Sequence, residues 1–166
     1  MLNIYIANLG KYNEGELVGR WVKLPCEDLD EVLEQIGVIQ GSPYEEYAIH
    51  DYESDIEGLE INEYKDIYEL NELAEQLDNL ADYEKEHLEA YIEAYCANLA
   101  DALEHFEDTT FFQGMSLEDV ARDLVDEGCF GEIPALIKTY IDYEAIARDL
   151  GCEGYTEVSN GVIGSE

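Results

Sequence analysis

Residues 1–37 read MLNIYIANLGKYNEGELVGRWVKLPCEDLDEVLEQIG, and the hydrophobic period changes within them. Leu2, Ile4 and Ile6 alternate with Asn3, Tyr5 and Ala7, a period of two that predicts a half-buried strand. Asn8–Gly10 and Asn13–Gly15 supply turn chemistry. Leu17 to Leu24 reads as a second strand, stopped by Pro25. Leu29, Val32, Leu33 and Ile36 then recur at helical spacing, with Gly37 as the stop. Gly41-Ser42-Pro43 marks a loop, after which Tyr47 and Ile49 open a third strand. Strand, strand, helix and strand make a small α+β unit, placed at 1–61.

Outward from this unit the pattern becomes helical. No Gly or Pro interrupts residues 59–113. Ile67, Leu70, Leu73, Ala74 and Leu77 form one apolar face, and Leu88, Ile92, Tyr95, Leu99, Leu103 and Phe106 form another. Two or more helices, broken near Asn79–Ala81, predict a central helical domain at 62–108. The remainder, 109–166, mixes both types. Ser116 with Asp119 predicts a capping-box helix start, with an end near Gly128. Tyr143–Leu150 reads as a short helix, and residues 155–163 around Asn160-Gly161 carry a hairpin signal. The fold class expected is α+β in three small domains.

The charge is extreme and uneven. The 166 residues hold 41 Asp and Glu against 8 Lys and Arg, a formal net charge of −33. Residues 1–26 carry Lys11, Arg20 and Lys23 against Glu14 and Glu16, so the excess lies entirely beyond them. Residues 27–64 contain 13 acids and no Lys or Arg. A disordered acidic tail is a poor fit, because 46% of residues are apolar or aromatic. DNA carries about one charge per ~1.7 Å of axis, so this charge matches roughly 56 Å of duplex. A basic partner is the first expectation; a halophilic or merely solvated surface is the plain alternative.

The charge is set along elements. Asp78, Asp82, Glu86, Glu89 and Glu93 run at intervals that share one helix face. One such stripe offers a charge per ~5.5 Å of axis, from a rise of ~1.5 Å per residue, while a DNA strand offers a phosphate per ~3.4 Å. Two or three stripes would have to combine. Glu63, Asp66, Glu69 and Glu72 supply one more, and Asp101, Glu104 and Glu107 another. Ordinary solvated faces mix signs, because Glu–Lys pairs help by ~0.2–0.5 kcal/mol; here only Lys65 and Lys85 interrupt the middle third.

Catalytic signals are weak. His50-Asp51 reads as a strand residue with a polar neighbour rather than half of a site. Glu86-His87 lacks the second His of a zinc motif. His105 sits among Glu104, Glu107 and Asp108, which fits a solvated helix end. Asp51, Glu53 and Asp55 alternate as in a calcium loop, but Ile56 stands where that loop needs Gly. Cys26, Cys96, Cys129 and Cys152 are scattered and expected to be reduced thiols. No enzyme, metal or cofactor is expected. Neither a membrane span nor a signal peptide is read, and a cytoplasmic location is expected.

Three stretches resemble the ArdA antirestriction proteins: YIANLGKYNEGELVGRW at 5–21, YEEYAIHDYE at 44–53 and FGEIPALIKTYIDYEAIARDL at 130–150. Residues 124–128 fall in the region of that family's antirestriction motif. The middle helices match mainly in acidity. The resemblance implies an elongated mimic of bent B-form DNA in three small domains. It implies occupancy of the DNA-binding groove of a type I restriction–modification enzyme, at its methyltransferase core, and a homodimer formed through the C-terminal domain. It also implies carriage on mobile genetic elements, and no nucleic acid or membrane as partner. The contacting carboxylates are then expected among the stripes together with Asp55, Glu57, Glu60 and Glu63. The motif region and dimer contact are expected at Leu124, Asp126, Glu127, Gly128, Phe130, Gly131, Glu132, Ile133, Pro134, Tyr140, Ile141 and Tyr143. For the apolar block at 130–150, domain core and dimer contact both stand. The alternative function is an acidic inhibitor or chaperone of another basic, nucleic-acid-binding protein.

Overall fold

Leu2, Ile4 and Ile6 are buried along the central strand of an antiparallel sheet in the computed structural model, which describes residues 1–165. Strand β1 (Leu2–Asn8) lies between β2 (Gly19–Leu24) and β3 (Tyr47–Ser54). Val22 and Leu24 of β2 and Ala48 and Ile49 of β3 complete the buried side. Pairing with β3 shifts register between Tyr5 and Ile6, an irregularity that re-aims side chains on the edge strand. Helix α1 (Leu9–Asn13) occupies the stretch read as a turn, because the Oδ1 of fully buried Asn8 caps it by accepting from the Lys11 N–H at 3.0 Å. Asn8 also donates through Nδ2 to the Ile36 carbonyl at 3.1 Å, which leaves both ends of its amide satisfied.

Helix α2 (Leu29–Gln35) falls on the stretch whose apolar spacing is helical, and Asp28 caps it by accepting from the Glu31 N–H at 2.9 Å. Helix α3 (Ile67–Asn79) buries its predicted face of Ile67, Leu70, Leu73, Ala74 and Leu77. Polar clamps tie it to the sheet unit. The Cys26 N–H donates to Asn71 Oδ1 at 2.7 Å, Asn71 Nδ2 donates to the Cys26 carbonyl at 3.1 Å, and the Tyr47 hydroxyl accepts from the Ile67 N–H. These elements form one compact unit, Met1–Ala81.

The second compact unit begins at Asp82. It contains α4 (Asp82–Tyr95), α5 (Leu99–His105), a 3₁₀ turn (Phe106–Asp108), β4 (Thr109–Gln113), α6 (Leu117–Asp126), α7 (Ala135–Lys138), α8 (Tyr143–Cys152), β5 (Tyr155–Val158) and β6 (Gly161–Ser165). Its sheet is antiparallel with β6 between β4 and β5. Val120 and Ala121 of α6, Ala147 and Leu150 of α8 and Val162 of β6 form its core. The capping box at Ser116 and Asp119 is present, with both reciprocal hydrogen bonds. Contacts therefore group α3 with the first unit and α4 and α5 with the second, whereas the sequence pattern groups all three as 62–108.

The apolar series from Leu88 to Phe106 does not lie on one helix. Cys96 turns to φ 50° after α4, and the Asn98 side chain then caps α5 by accepting from the Asp101 N–H at 3.1 Å. Leu88, Ile92, Leu99 and Phe106 are buried, but Tyr95, next to the break, is 44% exposed. Among the described residues no helix is long and apolar enough to cross a membrane.

Candidate functional site

The acidic residues singled out in the sequence fall on four successive segments. Asp55, Glu57, Glu60 and Glu63 lie on the link between β3 and α3, which the Ile49 N–H holds at one point by donating to the Glu63 carbonyl at 2.8 Å. Asp66 caps α3, accepting from the Tyr68 and Glu69 N–H groups, and Glu69, Glu72 and Asp78 follow on that helix. Asp82, Glu86, Glu89 and Glu93 belong to α4, and Asp101 and Glu104 to α5 with Glu107 on the 3₁₀ turn. All are exposed except Glu86 and Glu89, which are half-buried.

One grouping is corrected. Asp78 does not share a helix face with Asp82, Glu86, Glu89 and Glu93, because α3 ends at Asn79 and α4 starts at Asp82. Leu80 at the break takes an extended conformation, so the four-residue rhythm does not run along one helix.

The carboxylates also divide by what they hold. Both oxygens of Glu93 accept from the Ser159 N–H at 3.0 Å, and one accepts from the Ser159 hydroxyl at 2.6 Å. Glu86 accepts from the Gln113 amide, and its backbone carbonyl accepts from Asn160 Nδ2 at 2.9 Å. These two residues anchor α4 to the β5–β6 turn and the end of β4. Glu69 pairs with Lys65 at 2.6 Å, and Asp55 meets the terminal amine of Met1. Exposed pairs of this kind contribute only ~0–1 kcal/mol. The stripes thus mix carboxylates that fasten the fold with others directed to solvent.

The histidines sit in unlike places. His87 is half-buried between Phe106 and Phe111, its Nε2 lies 2.8 Å from Thr109 Oγ1, and burial pushes its pKa below the usual imidazole range. His105 meets Asp108 at 3.2 Å at the exposed helix end. His50 lines a cleft of about 470 Å³ with Tyr12, Asp51, Tyr52 and Glu63; the Tyr12 ring packs edge-on against it at 4.5 Å, and Glu63 lies 3.9 Å from its Nε2. That lining holds no Ser, Thr or Cys among the described residues. Among the described residues, no group of three or more His, Cys, Asp or Glu is placed to hold a metal ion.

The apolar block at 130–150 separates into two populations. Tyr143 and Ile146 pack with Leu124 against the α6–α8 core, and the Arg122 guanidinium lies 4.4 Å over the Tyr143 ring. Ile133 and Ile141 are half-buried. Phe130, Leu136, Ile137 and Tyr140 are exposed, Leu136 at 87% and Tyr140 at 85%. Glu127 ends α6, and Gly128 and Gly131 take φ of 81° and 89°, which favour glycine. Pro134 starts α7, Lys138 on α7 pairs with Asp126 at 2.6 Å, and Glu132 is exposed. Tyr83 and Tyr91 on α4 and Ser159 in the hairpin turn were not singled out in the sequence, and Tyr95, read there as part of an apolar face, is 44% exposed. The i, i+4 spacing of the tyrosines was the available signal.

Fold and sequence together define a class: an α+β protein of strongly acidic composition, with exposed carboxylates on helices and on a link between elements. The particular family follows from comparison. The family model described as Antirestriction protein (ArdA) matches residues 4–164, and the chain belongs to that family. No match was found among curated proteins. Membership assigns an antirestriction role, that of an inhibitor directed at restriction–modification systems.

Proposed function

We propose that the chain acts as a mimic of bent B-form DNA and occupies the DNA-binding groove of type I restriction–modification enzymes, blocking restriction. The carrying observation is the placement of acids on the β3–α3 link, α3, α4 and α5, nearly all exposed, in a stretch with few bases. A groove that binds DNA is lined with Lys and Arg that contact phosphates and release counterions. Carboxylates held on folded elements take the same contacts. Base edges are dispensable, because phosphate contacts supply most non-specific affinity. A surface already shaped like bent DNA avoids a deformation cost on the order of 1–6 kcal/mol. An elongated three-domain form belongs to the same proposal.

Competition tests the reading. Labelled DNA bound to a purified type I modification enzyme is displaced by the protein at low salt, and displacement weakens as salt rises. DNA that stays bound under saturating protein rejects this target and leaves another basic, nucleic-acid-binding protein as the partner class.

The homodimer belongs to the proposal, through Phe130, Leu136, Ile137 and Tyr140. Isolated exposed apolar residues are common on protein surfaces, but four exposed within eleven residues on a highly charged chain suit a self-complementary contact. Leu136→Asp, at a position that contributes nothing to the core, is expected to leave the circular dichroism spectrum unchanged and shift the light-scattering mass from dimer to monomer at micromolar concentration. A wild-type protein that is monomeric there removes the dimer.

A further inference from the structure

Charge alone does not explain the face of α4 that carries Tyr83, Tyr91 and Tyr95. Tyr91 and Tyr95, four positions apart, are neighbours on the helix surface, and Tyr83 lies two turns earlier on the same row of residues spaced by four. Tyr83 is 66% exposed, and the Tyr91 and Tyr95 rings lie 4.6 Å apart at a tilt of 42°. His87, the remaining member of the series, is turned inward against Phe106 and Phe111. The Tyr83 hydroxyl donates to the Glu84 carboxylate at 3.2 Å, which raises that phenol's pKa, with a smaller contribution from Glu107; burial raises the pKa of Tyr91, with smaller contributions from Asp101 and Asp108.

Among the described residues, a cation is held in this way at two places. The Arg122 guanidinium lies 4.4 Å over the Tyr143 ring while it pairs with Glu118. Lys11 Nζ lies 4.7 Å from the Tyr44 ring centre and 3.2 Å from Glu16. In both, a tyrosine face and a carboxylate share one cation.

We propose that Tyr83, Tyr91 and Tyr95, with Asp101, Glu107 and Asp108, form a docking face for arginine side chains of a basic protein partner. Carboxylates attract ammonium and guanidinium groups alike. A planar guanidinium can lie flat on an aromatic ring while its N–H groups reach neighbouring carboxylates, whereas an ammonium is a strongly hydrated point charge. The tyrosines therefore select arginine over lysine at this face, beyond what the acids provide. The inference rests on the reading of a basic partner for the antirestriction role.

Fluorescently labelled octa-arginine and octa-lysine carry equal charge and are titrated against the full chain at moderate salt. Wild-type protein is expected to favour octa-arginine by about three- to tenfold, in the range of a few exposed cation–π contacts. Tyr83→Leu with Tyr95→Leu reduces that preference to near unity and leaves octa-lysine binding unchanged. Tyr83→Phe with Tyr95→Phe retains it. No preference in the wild type, or a preference that survives the leucine pair, overturns the proposal. Should the leucine pair unfold, ring-proton NMR of the wild-type chain decides: Tyr83, Tyr91 and Tyr95 shift more with octa-arginine than with octa-lysine, and equal shifts overturn it. No restriction enzyme enters the assay, so its failure leaves the DNA-competition result to stand by itself.

Discussion

Glu93 and Glu72 carry the same charge and have different structural roles. Glu72 is exposed on α3, while Glu93 takes three hydrogen bonds from Ser159. Glu93→Ala is expected to destabilise the second unit by about 1–2 kcal/mol, since it removes bonds to a charged acceptor at a partly solvated site. Glu72→Ala is expected to change stability by less than ~0.5 kcal/mol, as surface substitutions usually do. Urea denaturation of the two variants checks the contrast; equal midpoints would refute it. His87 gives a pH signature. Burial lowers its folded-state pKa below the unfolded value. The unfolded chain then binds more protons as pH falls through about 6.5, so this residue's contribution to stability is complete above that value and declines below it. The difference in urea midpoint between wild type and His87→Gln is expected to shrink from pH 7.5 to 5.5. A constant difference would show that His87 carries no proton linkage.

Helix ends show what the sequence made legible and what it did not. The period of two in β1, the apolar spacing of α2, the buried face of α3 and the capping box at Ser116 were all readable, because each depends on residues close in sequence. The break between α4 and α5 was not. Its signal is a left-handed Cys96, and neither Gly nor Pro announces it. Strand β4 sits directly after the 3₁₀ turn in the same uninterrupted stretch, and its pairing with β6 is a distant contact that no local pattern reports. Among the candidate residues, positions on segments were legible. Which carboxylates fasten the fold was not, since Ser159 lies 66 positions from Glu93. The α4–α5 break carries its own prediction. Cys96→Gly relieves a left-handed backbone that disfavours a side chain by roughly 1–2 kcal/mol, offset in part by about 0.4–1 kcal/mol of extra unfolded-state freedom. A gain in thermal midpoint of one to a few degrees is expected, of order ~1–4 °C, and a loss would contradict the backbone argument.

At the scale of the whole molecule, a net charge of −33 with few ion pairs opposes compaction. Screening should relieve this, since the Debye length falls from ~30 Å at 0.01 M salt to ~10 Å at 0.1 M. The melting temperature is expected to rise over that interval, and a flat profile would indicate charges already compensated within the fold. The exposed patch around Leu136 and Tyr140 adds a thermodynamic linkage. Under the proposed dimer, self-association brings two polyanions together and is promoted by added electrolyte, while capture of a cationic groove is opposed by it. The two equilibria therefore respond to electrolyte with opposite sign, and ionic strength sets whether the chain is limited by finding its own copy or by holding its target.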